Sequence, residues 1–123
     1  MTKILVIEDE KHEMENICFV LKHAGYEPIK AENGQIGLEM ARTHKPGLII
    51  CDLNMPGLNG YEVLDDIRKN HETSDIPFII LTVFPRPDDI DIEFRLKAQD
   101  YITKPFYFKE FLARVKSCLD KSL

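Results

Sequence analysis

The sequence predicts an α/β fold in which five parallel strands form a doubly wound sheet flanked by five helices. Three apolar runs support this prediction, at residues 4–7, 48–51 and 78–81. Runs of four strand-favouring residues without a polar interruption are typical of strands buried on both faces, as in a parallel sheet covered by helices. Apolar residues at helical spacing lie between the runs, so strands and helices alternate along the chain.

The elements of the first half of the chain follow in order from this alternation. A helix is predicted over residues 11–24, where Gly25 supplies a C-terminal stop. Residues 27–31 form a weaker second strand, Asn33 can cap the second helix, and Gly60 opens the third. The apolar residues that set the helical spacing are Met14, Ile17, Cys18, Leu21, Met40, Ala41, Leu64 and Ile67.

The segment at residues 89–97 has a conflicting local pattern. Its polar and apolar residues alternate strictly, which alone would predict a strand. We predict the fourth helix here because a parallel sheet requires a crossover before its fifth strand, and Pro87 suits a first helical turn. A helix would direct Ile92 and Leu96 away from the core, so we expect both to contact a target or a second copy of the chain.

The chain ends with a short fifth strand at residues 101–102 and a helix that carries one apolar stripe. Three consecutive aromatic residues at 106–108 exceed what one helix start can bury, so part of this trio is expected to contact partners. The apolar stripe consists of Phe108, Phe111, Leu112, Val115 and Leu119.

Size and composition favour one domain in a reducing compartment. We expect residues 1–123 to form a single domain without an output domain, because the chain has no linker or low-complexity segment. The three cysteines lie in apolar patterns without zinc-site spacing, which predicts free buried thiols. No segment has the length of a signal peptide or membrane span, so the cytoplasm is the expected location and no membrane contact is expected. The net charge of −5 argues against direct nucleic-acid binding by this domain.

Oxygen-bearing side chains directly follow each of the three apolar runs. Glu8 and Asp9 follow the first run, Asp52 the second and Thr82 the third. Parallel strands place their carboxyl ends at one edge of a sheet, where such folds bind ligands. Carboxylates gathered at one point repel each other unless a cation lies among them. The sequence therefore predicts a metal site at this edge of the sheet.

Two further segments are expected to border this site. Residues 53–60 form a turn-rich loop that leaves the Asp52 carboxylate at the end of its strand and can direct a backbone carbonyl at a metal. Residues 103–105 end the fifth strand, and the bond before Pro105 is a candidate for the cis isomer, which would fix the direction of Lys104. Lys104 is the cation placed to face the acids.

These residues together resemble the response-regulator receiver domain of two-component signalling, a flavodoxin-like fold of the CheY-like superfamily. The resemblance covers the whole chain. Each motif alone is weak evidence, whereas their order and spacing together are specific. The motifs are Glu8-Asp9, Asp52-Leu53-Asn54-Met55-Pro56 with Gly57 and Gly60, Thr82, and Tyr101-Ile102-Thr103-Lys104-Pro105-Phe106.

The resemblance implies a phosphoryl switch rather than a metabolic enzyme. Asp52 would accept a phosphoryl group from the phosphohistidine of a histidine kinase or phosphotransfer protein, with Mg²⁺ as the bound ion. Without phosphate, Lys104 is expected to pair with Asp52. The implied site residues are Glu8, Asp9, Asp52 and the Asn54 backbone carbonyl for the metal, and Lys104 and Thr82 for the phosphoryl oxygens.

The resemblance also implies how a signal leaves the site. Phosphorylation would draw Thr82 inward and vacate space for the Tyr101 ring. The face formed by the fourth helix, fifth strand and fifth helix would then change shape. Residues 88–120 would bind a downstream protein or a second copy of the chain.

Three residues depart from the family pattern. Val83 is bulkier than the usual residue after Thr82 and would narrow access to Asp52. Phe84 occupies a position that influences acyl-phosphate hydrolysis, and we expect it to shield the phosphate from water and lengthen its lifetime. Lys97 replaces a common glycine, and it would cost about 1 kcal/mol if the backbone there had positive φ.

Other functions fit parts of the sequence. A receiver-like interaction module could keep the fold without using phosphate, which Val83, Lys97 and the segment at 90–96 favour. A phosphatase of the haloacid dehalogenase type would need a second acid two residues after its nucleophile, where this chain has Asn54. A flavodoxin-like nucleotide binder is excluded more firmly, because residues 8–10 are acidic and no phosphate-binding glycine motif is present.

Overall fold

The computed structural model describes residues 1–83 and 97–121. Strands and helices alternate as predicted from β1 to β4, and each apolar run in the sequence forms a strand. Apart from Lys97, the segment predicted to form the fourth helix lies outside the described residues. No helix in the described ranges is both long and apolar enough to cross a membrane. The elements are β1 (Lys3–Ile7), α1 (Lys11–His23), β2 (Glu27–Ala31), α2 (Gly34–His44), β3 (Leu48–Asp52), α3 (Gly60–Lys69), β4 (Phe78–Thr82), β5 (Asp100–Thr103) and the C-terminal helix (Phe108–Lys121).

The strands form one parallel sheet in the order β2-β1-β3-β4-β5. β2 pairs with one side of β1. The chain then crosses over to β3, which pairs with the other side of β1, and β4 and β5 follow outward from β3. The strand order therefore reverses between β1 and β3. Open α/β sheets bind ligands outside the carboxyl ends of the strands at such a point. Residues 8, 9 and 52 lie there, because β1 ends at Ile7 and β3 at Asp52.

Two hydrophobic clusters cover the two faces of the sheet, because strand side chains alternate between its sides. On one face, Ile4 and Val6 pack with side chains of α1 and the C-terminal helix. On the other, Leu5 and Ile7 pack with side chains of α2 and α3. Helices on both faces confirm the doubly wound arrangement. The free thiols, all buried as predicted, belong to Cys18, Cys51 and Cys118.

The helix ends agree with the capping signals in the sequence. α1 ends at His23, one residue before the predicted end, and Gly25 follows with a φ of +97°, which glycine adopts at little cost. Asn33 accepts a hydrogen bond from a backbone amide in the first turn of α2, as predicted for its cap. α3 begins with an unpredicted capping box, in which Asn59 and Glu62 each accept a hydrogen bond from the other's backbone amide.

The apolar stripe of the C-terminal helix differs in part from the prediction. Phe111 is buried, but Phe108 is 49% exposed and Cys118 belongs to the core instead. Phe106 stacks on Phe111 with ring centroids 5.0 Å apart and packs, partly buried, against the core. Tyr107 is exposed as well. Two of the three consecutive aromatic residues are therefore largely outside the core, as predicted.

Arg68 at the end of α3 fixes the chain where it approaches β5. Its guanidinium donates to the backbone carbonyls of Ile76 (2.7 Å), Lys97 (2.9 Å) and Ser74 (3.2 Å). Among the described residues other than glycine, positive φ occurs at Lys45. The φ angle of Lys97 depends on the preceding residue, which lies outside the described ranges, so the strain expected at Lys97 stays a prediction.

Candidate functional site

Three carboxylates converge beyond the carboxyl ends of β1 and β3. Glu8 and Asp9 follow β1, and Asp52 is the last residue of β3. One carboxylate oxygen of each lies within 4.8 Å of the others. Glu8 and Asp52 are buried, with 1% and 7% of their surface exposed, whereas Asp9 is exposed. The predicted acidic cluster is therefore present, and it is open to solvent at Asp9.

Backbone hydrogen bonds hold the loop that follows Asp52. The Leu53 amide donates to the Leu81 carbonyl (2.8 Å), and the Gly60 amide donates to the Leu53 carbonyl (3.0 Å). Gly60 lies so close to this strand end that an added Cβ would be 2.7 Å from the Asp52 carbonyl oxygen. The Asn54 amide donates to Asp52 Oδ1 (3.3 Å) and orients the carboxylate.

Lys104 reaches the acids from the end of β5. Its Nζ lies 2.9 Å from Glu8 Oε1 and 3.1 Å from Glu13 Oε2. Asp52 Oδ2 is farther from it, at 3.4 Å. The bond between Lys104 and Pro105 is cis, as predicted. The expected pairing with Asp52 is present, but the two glutamates lie closer to the ammonium.

Glu13 is a member of this site that the sequence pattern did not reveal. It lies in the first turn of α1, and its amide donates to the carboxylate of Glu10, which caps the helix (2.7 Å). α1 begins just beyond the carboxyl end of β1, so its first turn borders the acidic cluster. The one signal in the sequence is a glutamate near a helix start. That feature is common where the helix dipole favours acids, and it does not by itself indicate a contact with Lys104.

The balance of charge explains the protonation of the buried groups. Burial raises the pKa of Glu8 to about 7; the hydrogen bond from Lys104 opposes this shift, and the charge of Asp52 adds to it. Burial acts to lower the pKa of Lys104, but its carboxylate partners outweigh burial and the net shift is upward. The ammonium keeps its proton, and one lysine does not balance the surrounding carboxylates. A divalent cation would supply the missing positive charge.

The oxygen ligands suit a small, hard cation. Mg²⁺ prefers oxygen ligands, keeps several waters, and is usually held by one or two carboxylates. Within the described part of the chain, the group of acidic side chains close enough to hold a metal is Glu8, Asp9 and Asp52. Exposure at Asp9 leaves room for bound water. The residues present therefore fit a magnesium site.

Thr82 and Tyr101 lie on the same face of the sheet. Thr82 ends β4, is fully buried, and is aligned with Thr103 of β5. Tyr101 is partly buried and packs against the hydrophobic cluster that α2 and α3 cover. Ile80 of β4 belongs to the same cluster, and Thr82 lies two residues further along the strand, on the same face.

Val83 is 61% exposed. Phe84 lies outside the described residues, so its expected shielding of the phosphate stays a prediction.

Sequence relatives match this combination of fold and site. A family model, the response regulator receiver domain, matches residues 4–116. Protein PilH of Pseudomonas aeruginosa is 37% identical over 119 residues, which cover 97% of this chain and 98% of PilH. The phosphate regulon transcriptional regulatory protein PhoB of Escherichia coli is 36% identical over 95% of this chain, which spans 51% of PhoB.

Solved structures show the same fold. Chemotaxis protein CheY4 of Vibrio cholerae superposes with a TM-score of 0.89 at 27% identity, covering 96% of this chain and 98% of that one. Response regulator TrrA of Thermotoga maritima, in complex with Mg²⁺ and BeF, gives 0.85 at 34% identity, with 96% and 99% covered.

The sheet order and the acidic crevice together define a receiver-type α/β domain. The chain belongs to the response regulator receiver domain family. Receiver domains are phosphoacceptor signalling domains of two-component systems, and response regulators interact with histidine kinases and downstream targets.

Proposed function

We propose that this chain is a phosphorylation-dependent switch in which Asp52 accepts a phosphoryl group from the phosphohistidine of a histidine kinase or a phosphotransfer protein. One arrangement supports this above all others. Asp52 is buried at the end of β3, its carboxylate lies beside Glu8 and Asp9, and Lys104 Nζ is 3.4 Å away. Acids opposed by one ammonium suit a phosphoryl ligand that binds together with a divalent cation.

The transfer requires mainly positioning and charge neutralisation from the protein. An Asp52 oxygen attacks the phosphorus and forms an O–P bond, while the N–P bond breaks and its electron pair returns to the donor imidazole. When bound, Mg²⁺ neutralises charge on the phosphoryl oxygens. The Lys104 ammonium and the Thr82 hydroxyl each donate to one equatorial oxygen. The proposed metal ligands are Asp9, Asp52, the Asn54 backbone carbonyl and, directly or through water, Glu8.

The proposed output runs through Thr82 and Tyr101. Both lie on the face of the sheet that α3 covers, so a shift of the Thr82 hydroxyl toward the phosphoryl group changes the space next to the partly buried Tyr101 ring. The altered surface would be the one formed by the predicted fourth helix, β5 and the C-terminal helix, within residues 88–120. A downstream protein or a second copy of the chain would bind there.

Phosphodonor treatment followed by intact mass spectrometry tests the proposal. With acetyl phosphate and Mg²⁺, the wild type should gain the mass of one phosphoryl group, because its acceptor and its metal ligands are intact. Asp52→Asn should gain none. Asp66→Asn, which removes an exposed carboxylate on α3, is the matched control and should gain the same mass as the wild type.

Two outcomes would contradict the proposal. An equal gain of mass in Asp52→Asn would place the phosphoryl group elsewhere. No gain in the wild type would favour a receiver-like interaction module that works without phosphate, with the exposed Tyr107 and Phe108 as part of its binding surface.

A further inference from the structure

We propose that Glu13 is a positioning residue that restrains Lys104 and thereby slows phosphoryl uptake at Asp52. This inference rests on the proposed function, because it concerns the same lysine and the same acceptor. It adds a residue from α1 to a site otherwise built at strand ends. Glu13 acts through Lys104 and does not itself contact the phosphoryl group.

The restraint follows from the contacts of the ammonium. The hydrogen bonds from Lys104 Nζ go to Glu8 Oε1 (2.9 Å) and Glu13 Oε2 (3.1 Å). Asp52 Oδ2, at 3.4 Å, is the most distant of its ion-pair partners. An ammonium has three N–H donors, and two of them are already engaged by Glu8 and Glu13. A phosphoryl oxygen on Asp52 must therefore compete for this lysine.

Glu13 differs from Glu8 in what its charge does. Glu8 is buried and belongs to the cluster of three carboxylates that suits the metal. The Glu13 side chain is 41% exposed and lies outside that cluster. Its position is nevertheless defined, because Glu10 caps the helix through the Glu13 amide. Glu13 therefore holds the lysine without being required to hold the ion.

Removing this charge should move two measurements in opposite directions. Phosphoryl uptake should rise, because Lys104 is released from Glu13 and can contact the incoming phosphoryl oxygen. Mg²⁺ binding should weaken slightly, because the negative potential at the cluster falls. A residue with only a structural role would lower both when it is replaced. The opposite signs therefore distinguish restraint of Lys104 from loss of fold.

The test compares Glu13→Gln with the wild type at saturating Mg²⁺. Acetyl phosphate uptake, followed by mass spectrometry, should be about two- to fivefold faster in the variant, which is the effect expected for a partly exposed ion pair. Calorimetry should show that beryllofluoride affinity rises by a similar factor and, in a separate titration without phosphoryl analogue, that Mg²⁺ affinity falls slightly. Glu39→Gln, which neutralises an exposed glutamate on α2, should change none of these quantities. Unchanged or slower uptake in Glu13→Gln would overturn the proposal.

A second comparison shows whether the effect passes through the lysine. In a Lys104→Gln background, Glu13→Gln should no longer accelerate uptake. Equal acceleration without the lysine would mean that Glu13 acts by long-range charge and would also overturn the proposal. A wild type that takes up no phosphoryl group would refute the proposed function and this inference together. If the wild type takes up a phosphoryl group and Glu13→Gln takes it up at the same rate, only the role of Glu13 is refuted.

Discussion

Glu8 links stability to pH, and its replacement by glutamine tests the electrostatics of the site. Without metal, Glu8 has a pKa of about 7 in the folded protein, against an ordinary value of 4.5. Between these two values the folded state binds more protons than the unfolded state, so the contribution of Glu8 to stability falls as pH rises from 4.5 to about 7. At roughly 1.36 kcal/mol per pKa unit, the full loss is about 3 kcal/mol.

Urea unfolding without divalent cations, from about pH 5 to about pH 8, measures this loss. The free energy of unfolding of the wild type should fall by about 2 to 3 kcal/mol relative to Glu8→Gln across this range, because glutamine does not titrate. Any constant cost of the amide cancels, since only the change with pH is compared. Lys104 does not interfere, because its pKa is raised further above this range.

Added Mg²⁺ provides the matching control. The ion should restore the stability of the wild type near the upper end of this pH range, because it takes the place of the proton among the carboxylates. It should affect Glu8→Gln less. Parallel pH profiles for the two proteins without metal would refute the assignment of a raised pKa to Glu8.

Three further substitutions test how the fold holds the site. Gly60→Ala should lower the free energy of unfolding by about 1 to 3 kcal/mol, because a Cβ there would lie 2.7 Å from backbone atoms. The matched control is Gly47→Ala, whose nearest contact would be a methyl group at 3.0 Å, and equal losses would contradict the packing argument. Arg68→Met should lower the free energy of unfolding in urea by about 2 to 3 kcal/mol, because partly buried backbone carbonyls lose a charged hydrogen-bond donor. A change near zero would show that water replaces the guanidinium as their donor. Asn59→Ala should cost about 1 kcal/mol in thermal unfolding through loss of the cap on α3, and an unchanged midpoint would show that the capping box contributes nothing.

Strand geometry made the sheet and most of its functional edge predictable. β1, β3 and β4 each contain an uninterrupted run of four apolar residues, so their burial on both faces and their parallel pairing follow from composition. The ends of these strands then bring Glu8, Asp52 and Thr82 to one edge without any knowledge of side-chain packing. Lys104 follows in the same way, because β5 pairs with β4 and ends at Thr103.

Contacts that depend on how helices rotate and side chains share space were not predictable. Glu13 reaches Lys104 because the first turn of α1 faces the site, and no periodic pattern encodes that rotation. Phe108 was expected in the core, but it is half exposed, and Phe106 stacks on the buried Phe111 instead. Three of the hydrogen bonds from Arg68 go to backbone carbonyls, which leave no trace in the sequence of side chains.

Chemical localisation of the phosphoryl group is the most direct measurement of whether Asp52 is the acceptor. Borohydride reduces an acyl phosphate to an alcohol, so an aspartate that carried the phosphoryl group becomes homoserine. After treatment with acetyl phosphate and Mg²⁺, peptide mass spectrometry should find homoserine at position 52 and unchanged aspartate at position 9. Omission of Mg²⁺ should strongly reduce the conversion. Homoserine at position 9, or no conversion at Asp52 with the metal present, would contradict the proposed switch.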